Sequence, residues 1–322
     1  MKKMIFRGLA AVLSLWLLPF GVHAADTLIP VGQVVGLELS NDSVTVAAFD
    51  DTLGSCAKDA GLQIGDEILD IDGAVIDSAE DVRQALQRSD GQVQLTVLRE
   101  ESQHQLCLTP QITDSGPRLG VYLRQGITGI GTVTWYDPTS GRFGTLGHGV
   151  NDSSGDLVRM TSGKVYPASV LSVKRGVNGK PGQLRGGISS GKALGTIEKN
   201  TLQGVFGSVD TGWEGEAIEV ACPDEIRTGP AVIRSTVSGN AVREYSVEIL
   251  KIYPAVKPTG RNMLIRVTDP NLLTATGGIV QGMSGSPIVQ DGKLIGAVTH
   301  VLVNDPTTGY GIFIENMLDA AG

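Results

Sequence analysis

The stretch GMSGSPIVQDGKLIGAVT, residues 282–299, contains the pattern that best indicates the fold of the larger part of this chain. After a Gly-rich turn, two short apolar runs, Ile288–Gln290 and Leu294–Thr299, flank the dipeptide at 291–292, Asp-Gly. A two-residue Asp-Gly turn between such runs predicts a β-hairpin. Upstream, short apolar runs are again cut by Gly, Asp-Pro and Asp-Gly, which predicts that residues 118–322 form a mostly β domain.

The Gly-rich turn also has the chemistry of an acyl-transfer site. A nucleophilic serine needs an exposed hydroxyl on a sharp turn, with backbone N–H groups beside it to stabilise the developing oxyanion. We predict Ser284 as the nucleophile and the N–H groups of Gly282 and Ser284 as the oxyanion hole. Ser286 is the rival nucleophile, ranked lower because trypsin-like patterns place the reactive hydroxyl before a glycine. A Gly-rich turn without function is the alternative to both.

Few histidines are available as the general base that this chemistry requires. His23 lies in the N-terminal apolar segment and His104 in the first domain. His148 lies in GTLGHGV, residues 144–150, where flanking glycines let a loop present an imidazole. His300 lies in the predicted apolar strand Leu294–Val301, where a satisfied core histidine is expected. We predict His148 as the base, because a histidine far upstream of the serine matches the chymotrypsin order.

Three acids are candidates for the group that orients the imidazole. Asp269 lies between His148 and Ser284 in the chain, consistent with the order His, Asp, Ser. Its alternative role is to begin a turn, since an Asp-Pro pair often does so. Asp152 and Asp210 are also possible, and the residues alone leave the choice open.

Residues 30–110 predict a separate, smaller αβ domain. Val44–Phe49 alternates as a strand, Ser78 is a predicted helix N-cap, and residues 93–97 alternate as a closing strand. The stretch AGLQIGDEILDIDG, residues 60–73, is similar to the signature of PDZ domains in bacterial proteases. That resemblance implies a fold that binds extended peptide ends by strand addition. An αβ domain without a ligand is the alternative.

The PDZ resemblance also implies a loop that binds the terminal carboxylate of the peptide. It would match Val34, Val35, Gly36 and Leu37, where glycine lets successive backbone N–H groups converge on an anion. Residues 111–117 are predicted to be the linker to the larger domain.

The first 25 residues differ from the rest of the chain. A basic start is followed by an apolar segment without charges and by small residues at the spacing that signal peptidase requires, which predicts an export signal or an uncleaved anchor at residues 1–25. The formal net charge of −8 offers no electrostatic basis for binding nucleic acid. Cys56 and Cys107 are able to pair within the first domain, although small buried side chains are the simpler interpretation. No CxxC motif or His/Cys cluster is present, so no metal site is expected.

Taken together, GTLGHGV, the C-terminal block at residues 281–318 and the PDZ unit resemble the sporulation stage IV B peptidase (SpoIVB) family. The resemblance implies a PDZ domain followed by a trypsin-like, chymotrypsin-type β-barrel peptidase domain, mostly β with minor α, and no cofactor. It places His148, Asp269 and Ser284 on the catalytic positions of a serine endopeptidase.

The same resemblance implies a role in sporulation signalling. Such peptidases are exported into the space between the forespore and mother-cell membranes and process themselves. They then cut the extracytoplasmic part of a membrane-bound regulator, so that an intramembrane protease activates a late sigma factor. One alternative is a catalytically inactive, PDZ-type peptide-binding regulator. Another is an HtrA-type quality-control protease, although that class places the protease before the PDZ domain.

Overall fold

The computed structural model describes residues 27–152, 155–189, 191–253 and 260–322; the predicted signal or anchor at residues 1–25 lies outside them. From the N-terminus the elements are β1 (Thr27–Pro30), β2 (Val34–Phe49), α1 (Ser55–Asp59), β3 (Glu67–Ile71), β4 (Ala74–Val75), α2 (Ala79–Arg88), β5 (Val93–Arg99), β6 (Ser102–Leu108), β7 (Gln111–Thr113), β8 (Gly116–Arg118) and β9 (Val121–Tyr136). They are followed by β10 (Arg142–Thr145), β11 (Ser162–Lys174), β12 (Gln183–Ile188), β13 (Gly195–Thr201), β14 (Gly204–Val209), β15 (Ile218–Glu219) and a 3₁₀ turn (Pro223–Glu225). The last elements are β16 (Gly229–Thr236), β17 (Val242–Ile252), β18 (Met263–Val267), α3 (Pro270–Thr276), β19 (Pro287–Gln290), β20 (Lys293–Leu302), β21 (Asp305–Phe313) and α4 (Ile314–Ala321).

Six of the strands close into a first barrel. β9, β10, β14, β13, β11 and β2 pair in that cyclic order, and every pair is antiparallel. Alternate side chains of these strands point inward and form one core, in which Phe143 and Val205 have no exposed surface. This barrel carries the strand that leads into the predicted base loop.

A second closed barrel is formed by β16, β17, β18, β21, β20 and β19. The predicted hairpin lies within it as β19 and β20, and its two turn residues, Asp291 and Gly292, have φ angles of +51° and +80°. Positive φ at both positions is the geometry that favours Asp-Gly in a two-residue hairpin. Two antiparallel six-stranded barrels are the architecture of chymotrypsin-type peptidases, so the predicted fold class is confirmed.

The αβ unit contains α1, α2, β3 to β6 and the adjoining ends of β2 and β9. Ser78 caps α2 as predicted, since its hydroxyl accepts the N–H of Asp81 at 3.1 Å. Val82, Ala85 and Leu86 form the buried face of that helix and pack into a core separate from those of the barrels. The predicted strand–helix–strand order is therefore present.

The boundaries of this unit differ from the predicted 30–110 and 111–117. Residues 34–39 of β2 pair with β9 and residues 35–40 pair with β11, both in the first barrel, whereas Val44 and Thr45 of the same strand pair with β3 in the αβ unit. The segment expected to be a linker forms the β7–β8 hairpin instead. Because β2 and β9 each run through both units, the two are joined by continuous strands.

Among the described residues, no helix is both long and apolar enough to cross a membrane. Cys56, Cys107 and Cys222 are unpaired; Cys107 is exposed rather than buried as expected, and Cys222 is exposed as well.

Candidate active site

Ser284 lies on a sharp turn that packs directly against the first barrel. The next residue, Gly285, has a φ of +94°, and a Cβ atom there would lie 2.0 Å from the carbonyl oxygen of Thr132 on β9. Only glycine fits such a conformation at such close approach. The turn that carries the serine therefore belongs to the second barrel but is seated on the first.

Of the two candidate hydroxyls, the structure exposes only that of Ser284 to a cavity. Its Oγ donates to the carbonyl oxygen of Thr299 at 2.7 Å. Ser286 has no exposed surface, and its Oγ bonds to that of Ser235 at 2.9 Å. Ser286 is thus a buried, hydrogen-bonded serine, which agrees with its lower rank as nucleophile.

The backbone around Ser284 leaves two N–H groups available. Within the described part of the chain, the amides of Gly282 and Ser284 donate to no protein acceptor, whereas that of Met283 between them bonds to the Val280 carbonyl. The two free donors are the pair predicted for the oxyanion hole. Neighbouring N–H groups of this kind stabilise negative charge that develops on an oxygen.

His148 follows β10 of the first barrel and reaches the same cavity. Gly147 before it has a φ of +68°, and a Cβ there would lie 2.9 Å from the Thr299 side chain, so this loop lies against the second barrel. The His148 Nδ1 lies 2.8 Å from the Gly149 carbonyl oxygen, which requires a hydrogen on Nδ1 and leaves Nε2 as the basic nitrogen. Burial lowers the pKa of His148 below its ordinary value because it disfavours the charged ring.

Two apolar cavities meet at His148. The first, of about 380 Å³, contains Ser284 and His148 and is otherwise lined by Ile130, Leu146, Pro181, Ile279, Val280, Gln281, Gly282, Thr299, His300, Val301 and Val303. The second, of about 440 Å³, is lined by Leu37, Leu39, Ile127, Gly129, Ile130, Leu146, His148, Gly149, Val150, Asn151 and His300. We call them the Ser284 cavity and the His148 cavity.

His300 is not the satisfied core histidine that the sequence suggested. It lines both cavities, its ring centroid lies 5.3 Å from that of His148, and its buried Nδ1 has no hydrogen-bond partner among the described residues. The pairing of β20 with β21 shifts register between Val298 and His300. Such an irregularity re-aims the following side chain, which an apolar sequence run cannot reveal.

The burial of His300 predicts a pH-dependent stability. Burial, followed by the charges of His148 and Arg261, lowers its pKa to about 4, whereas the unfolded chain binds the proton near pH 6.5. The unfolded state then holds more protons between these values, so stability is lost as pH falls from about 6.5 to 4. We expect the His300→Gln variant to lose less stability at pH 5 than the wild type does. The difference in the free energy of unfolding should be about 1 kcal/mol, after allowance for the partial exposure of the ring.

Melting temperatures of the wild type and His300→Gln at pH 7 and pH 5 measure this effect. The difference between the two proteins should widen in favour of the variant at pH 5, by a few degrees. An identical pH response in both would contradict the prediction.

Each of the three candidate acids has a different environment in the structure. Asp269 is the N-cap of α3, where its Oδ1 accepts the N–H groups of Asn271 and Leu272 at 2.9 and 3.0 Å. Asp152 accepts the N–H of Asp156, and Asp210 is exposed. None of the three lines the Ser284 cavity or the His148 cavity.

The structure therefore does not bring Asp269 to His148, and its catalytic role stays a prediction. Asparagine is as good an N-cap as aspartate. The variant Asp269→Asn thus separates the two roles, because only a catalytic role needs the charge.

The predicted carboxylate-binding loop is not a loop. Val34, Val35, Gly36 and Leu37 lie within β2 and pair with β9, and all but Val34 also pair with β11. A carboxylate site needs free backbone N–H groups, and a strand paired on both edges has none to offer. The assignment of these residues to a carboxylate-binding loop is therefore wrong. It arose because the Val-Val-Gly-Leu pattern does not distinguish a loop from a buried strand.

A groove elsewhere in the αβ unit has the features that were expected of that loop. A cavity of about 590 Å³ lies between α2 and the start of β9, with the Val82, Leu86 and Val121 side chains in its lining. At one end, Leu119 and Gly120 have N–H groups without a protein acceptor in the described chain, and Gly120 has a φ of +71°. We call it the α2 groove; the Leu-Gly pair before an alternating strand was the sequence signal that could have located it.

Comparison with known proteins shows two family matches. The family model described as SpoIVB peptidase S55 matches residues 116–318, and one described as a PDZ domain matches residues 53–99. Among solved structures, the chain is similar to the active form of the Rv3671c protease from M. tuberculosis, at 18% identity and a TM-score of 0.37 over 62% of this chain and 75% of that one. It is also similar to the HtrA-type protease AlgW with decapeptide, at 14% identity and a TM-score of 0.37 over 65% of this chain and 57% of that one. No curated protein matches the sequence.

Proposed function

The chain belongs to the SpoIVB peptidase S55 family of serine endopeptidases, and from this premise we propose that Ser284 and His148 are its nucleophile and general base. The observation that carries the proposal is their convergence from different barrels. Ser284 comes from the second barrel and His148 from the first, yet both line one cavity. Beside the serine, two N–H groups that donate to no acceptor in the described residues are available to bind an oxyanion. No cofactor takes part in this chemistry.

The hydrogen bonds of the site define the order of events. Rotation of Ser284 Oγ away from the Thr299 carbonyl directs its hydrogen to Nε2 of His148, and such bonds form fully only with substrate in place. As Nε2 takes the proton, Oγ attacks the peptide carbonyl, whose oxygen receives the N–H groups of Gly282 and Ser284. His148 then protonates the leaving amine, and a water molecule hydrolyses the acyl-enzyme by the same steps. The Gly149 carbonyl holds Nδ1 throughout.

The two cavities support a substrate with apolar side chains at the bond that is cut. The walls of the Ser284 cavity are mostly aliphatic, and no Asp, Glu, Lys or Arg is among the described residues that line it. A charged side chain would lose hydration there without gaining a partner. We therefore infer that cleavage follows a medium-sized aliphatic residue, and that the His148 cavity accepts a second apolar side chain.

The α2 groove supports a protein substrate whose chain end is bound away from the peptide bond that is cleaved. Free N–H groups at one end suit a terminal carboxylate, and Val82 and Leu86 suit an apolar last side chain. A chain end bound there raises the local concentration of the attached sequence at the catalytic cavity to roughly millimolar. Weak binding is then sufficient to select the cut site.

We further propose that this peptidase acts in sporulation signalling after export. Membership in the SpoIVB family supports a role in which the enzyme processes itself and then cuts a membrane-bound regulator. That cut would allow an intramembrane protease to activate a late sigma factor. The PDZ domain is inserted between barrel strands β2 and β9 rather than placed after the peptidase domain, and this position supports a dedicated signalling peptidase over an HtrA-type quality-control protease.

A fluorophosphonate probe and mass spectrometry test the catalytic proposal together. The probe should label Ser284 of the purified protein, and a mixed peptide library should be cut after aliphatic residues. Absence of labelling and cleavage in a folded protein would favour a catalytically inactive, peptide-binding regulator instead.

Charge reversal at the rim of the α2 groove should weaken peptide binding but not catalysis. Arg118 is exposed next to Leu119 and Gly120, so Arg118→Glu is expected to weaken binding of a peptide with a free C-terminus by about tenfold. Hydrolysis of a short peptide that does not occupy the groove should stay within twofold of wild type.

Fluorescence anisotropy with a labelled peptide ending in valine measures the affinity. The same peptide with an amidated C-terminus is the control ligand, because it lacks the terminal carboxylate. Arg88→Glu is the matched variant, since Arg88 is exposed on α2 but does not line the groove. Equal affinity of Arg118→Glu and Arg88→Glu for the free-acid peptide would exclude the α2 groove as the carboxylate site.

A further inference from the structure

The hydroxyl of a buried threonine contacts the turn that forms the oxyanion hole. Thr132 lies on β9 of the first barrel and has no exposed surface. Its Oγ1 donates to the Gly282 carbonyl at 2.8 Å, and its backbone N–H donates to the Ser284 carbonyl at 3.1 Å. Each residue that offers its N–H to the oxyanion hole therefore has its own carbonyl bound by Thr132.

We propose that Thr132 is a positioning residue for the oxyanion hole, an inference that rests on the proposed peptidase function. Gly282 has a φ of +98° and no side chain to limit its rotation. The Leu184 N–H donates to the carbonyl of Gln281 at 2.8 Å, which holds the peptide plane before Gly282. The plane after Gly282 is held at both of its polar groups, since Thr132 Oγ1 donates to the Gly282 carbonyl and the Met283 N–H donates to the Val280 carbonyl at 3.1 Å. Without the hydroxyl, this second plane loses one of its two contacts, and the direction of the N–H groups on either side of it is less well defined.

Thr132 also connects this turn to the strand that leads to the base. Its carbonyl accepts the hydroxyl of Thr145 at 2.6 Å and the N–H of Leu146 at 3.3 Å, three and two residues before His148. All three polar groups of Thr132 are therefore engaged, two with the nucleophile turn and one with the segment before the base. The residue sets the spacing of the two halves of the catalytic site without contacting substrate.

The effect of this positioning should appear in kcat rather than in KM. Thr132→Val removes the hydroxyl and keeps the branched shape, and we expect kcat for a short peptide to fall about 10- to 100-fold, below the loss for a whole oxyanion donor. KM should stay within about twofold, because ground-state contacts are unchanged. Thr132→Ser retains a hydroxyl and should restore kcat to within about threefold of wild type.

The chain offers a matched control on the same strand. Thr134 is equally buried, but its hydroxyl has no hydrogen-bond partner in the part of the chain that the structure describes. Thr134→Val should therefore leave both kcat and KM near their wild-type values. A merely structural role for Thr132 would lower the melting temperature of the valine variant without lowering kcat at 25 °C.

The outcomes separate this inference from the proposed function. An active wild type with an equally active Thr132→Val variant overturns the positioning role alone, as does equal loss in the serine and valine variants. A folded wild type that neither cuts peptides nor reacts with a fluorophosphonate overturns the function itself. If Thr132→Val does not fold, Thr132→Cys, a weak donor of similar size, should give a kcat clearly below that of Thr132→Ser.

Discussion

Replacing Ser284 by alanine is expected to lower kcat for peptide hydrolysis by a factor on the order of 10⁶. The variant keeps both cavities and both oxyanion donors but has no atom that can form the acyl-enzyme. Intact-mass spectrometry of the wild type beside Ser284→Ala reports self-cleavage and peptide cleavage in one experiment. The melting temperature should change little, because the lost hydroxyl bonds only to the Thr299 carbonyl.

Ser286→Ala is the matched control for that experiment, since it removes a hydroxyl two residues away on the same turn. Its Oγ bonds to Ser235 in the core, so the variant should lose stability, about 1 kcal/mol, and retain turnover. Near-normal activity of Ser284→Ala combined with an inactive Ser286→Ala would mean that the wrong serine has been named.

His148→Ala should be almost as severe, with kcat reduced by about 10⁵ to 10⁶, because Ser284 then has no base. The wild-type enzyme should also lose kcat/KM on the acid side as His148 takes up a proton. Burial lowers the pKa of this ring, so the midpoint of the loss should lie below 6.5, the ordinary pKa of histidine. A pH series of kcat/KM on a short peptide measures the midpoint.

His300→Gln is the control variant for the assignment of His148 as the base. His300 lines the same cavity and is the only other histidine that does so among the described residues. It should retain most of its turnover at neutral pH. A folded His300→Gln without activity, beside an active His148→Ala, would exchange the two assignments.

Local patterns predicted the parts of this molecule that short stretches of chain define. The Asp-Gly turn indicated the β19–β20 hairpin, and Ser78 with its apolar spacing indicated α2. The Gly-rich turn singled out Ser284, and the glycines around His148 indicated a loop. Each signal depends on residues that lie within one turn or one strand of each other.

The parts that were missed depend on pairings between distant residues. Gly36 was assigned to a loop, but its neighbours are Ile130 and Tyr166, which are far away in the sequence. The orientation of His300 depends on a register shift against β21, and the contact of Thr132 with Gly282 joins two barrels. Asp-Pro at residues 269–270 was consistent with both a catalytic acid and a helix N-cap, and only the fold shows the cap.

The shared strands β2 and β9 also determine the order in which the chain can fold. Val34 pairs with Thr132, a partner roughly 100 residues later, so the first barrel cannot close until the intervening segment has been synthesised and compacted. The αβ unit is in effect an insertion between two neighbouring barrel strands, and its folding brings their ends together and shortens the loop to be closed. A fragment beginning at residue 118 would lack β2, one of six strands of its barrel. The peptidase therefore cannot be prepared without the inserted unit by simple truncation, and mutations that unfold the insertion should delay the formation of the catalytic cavity.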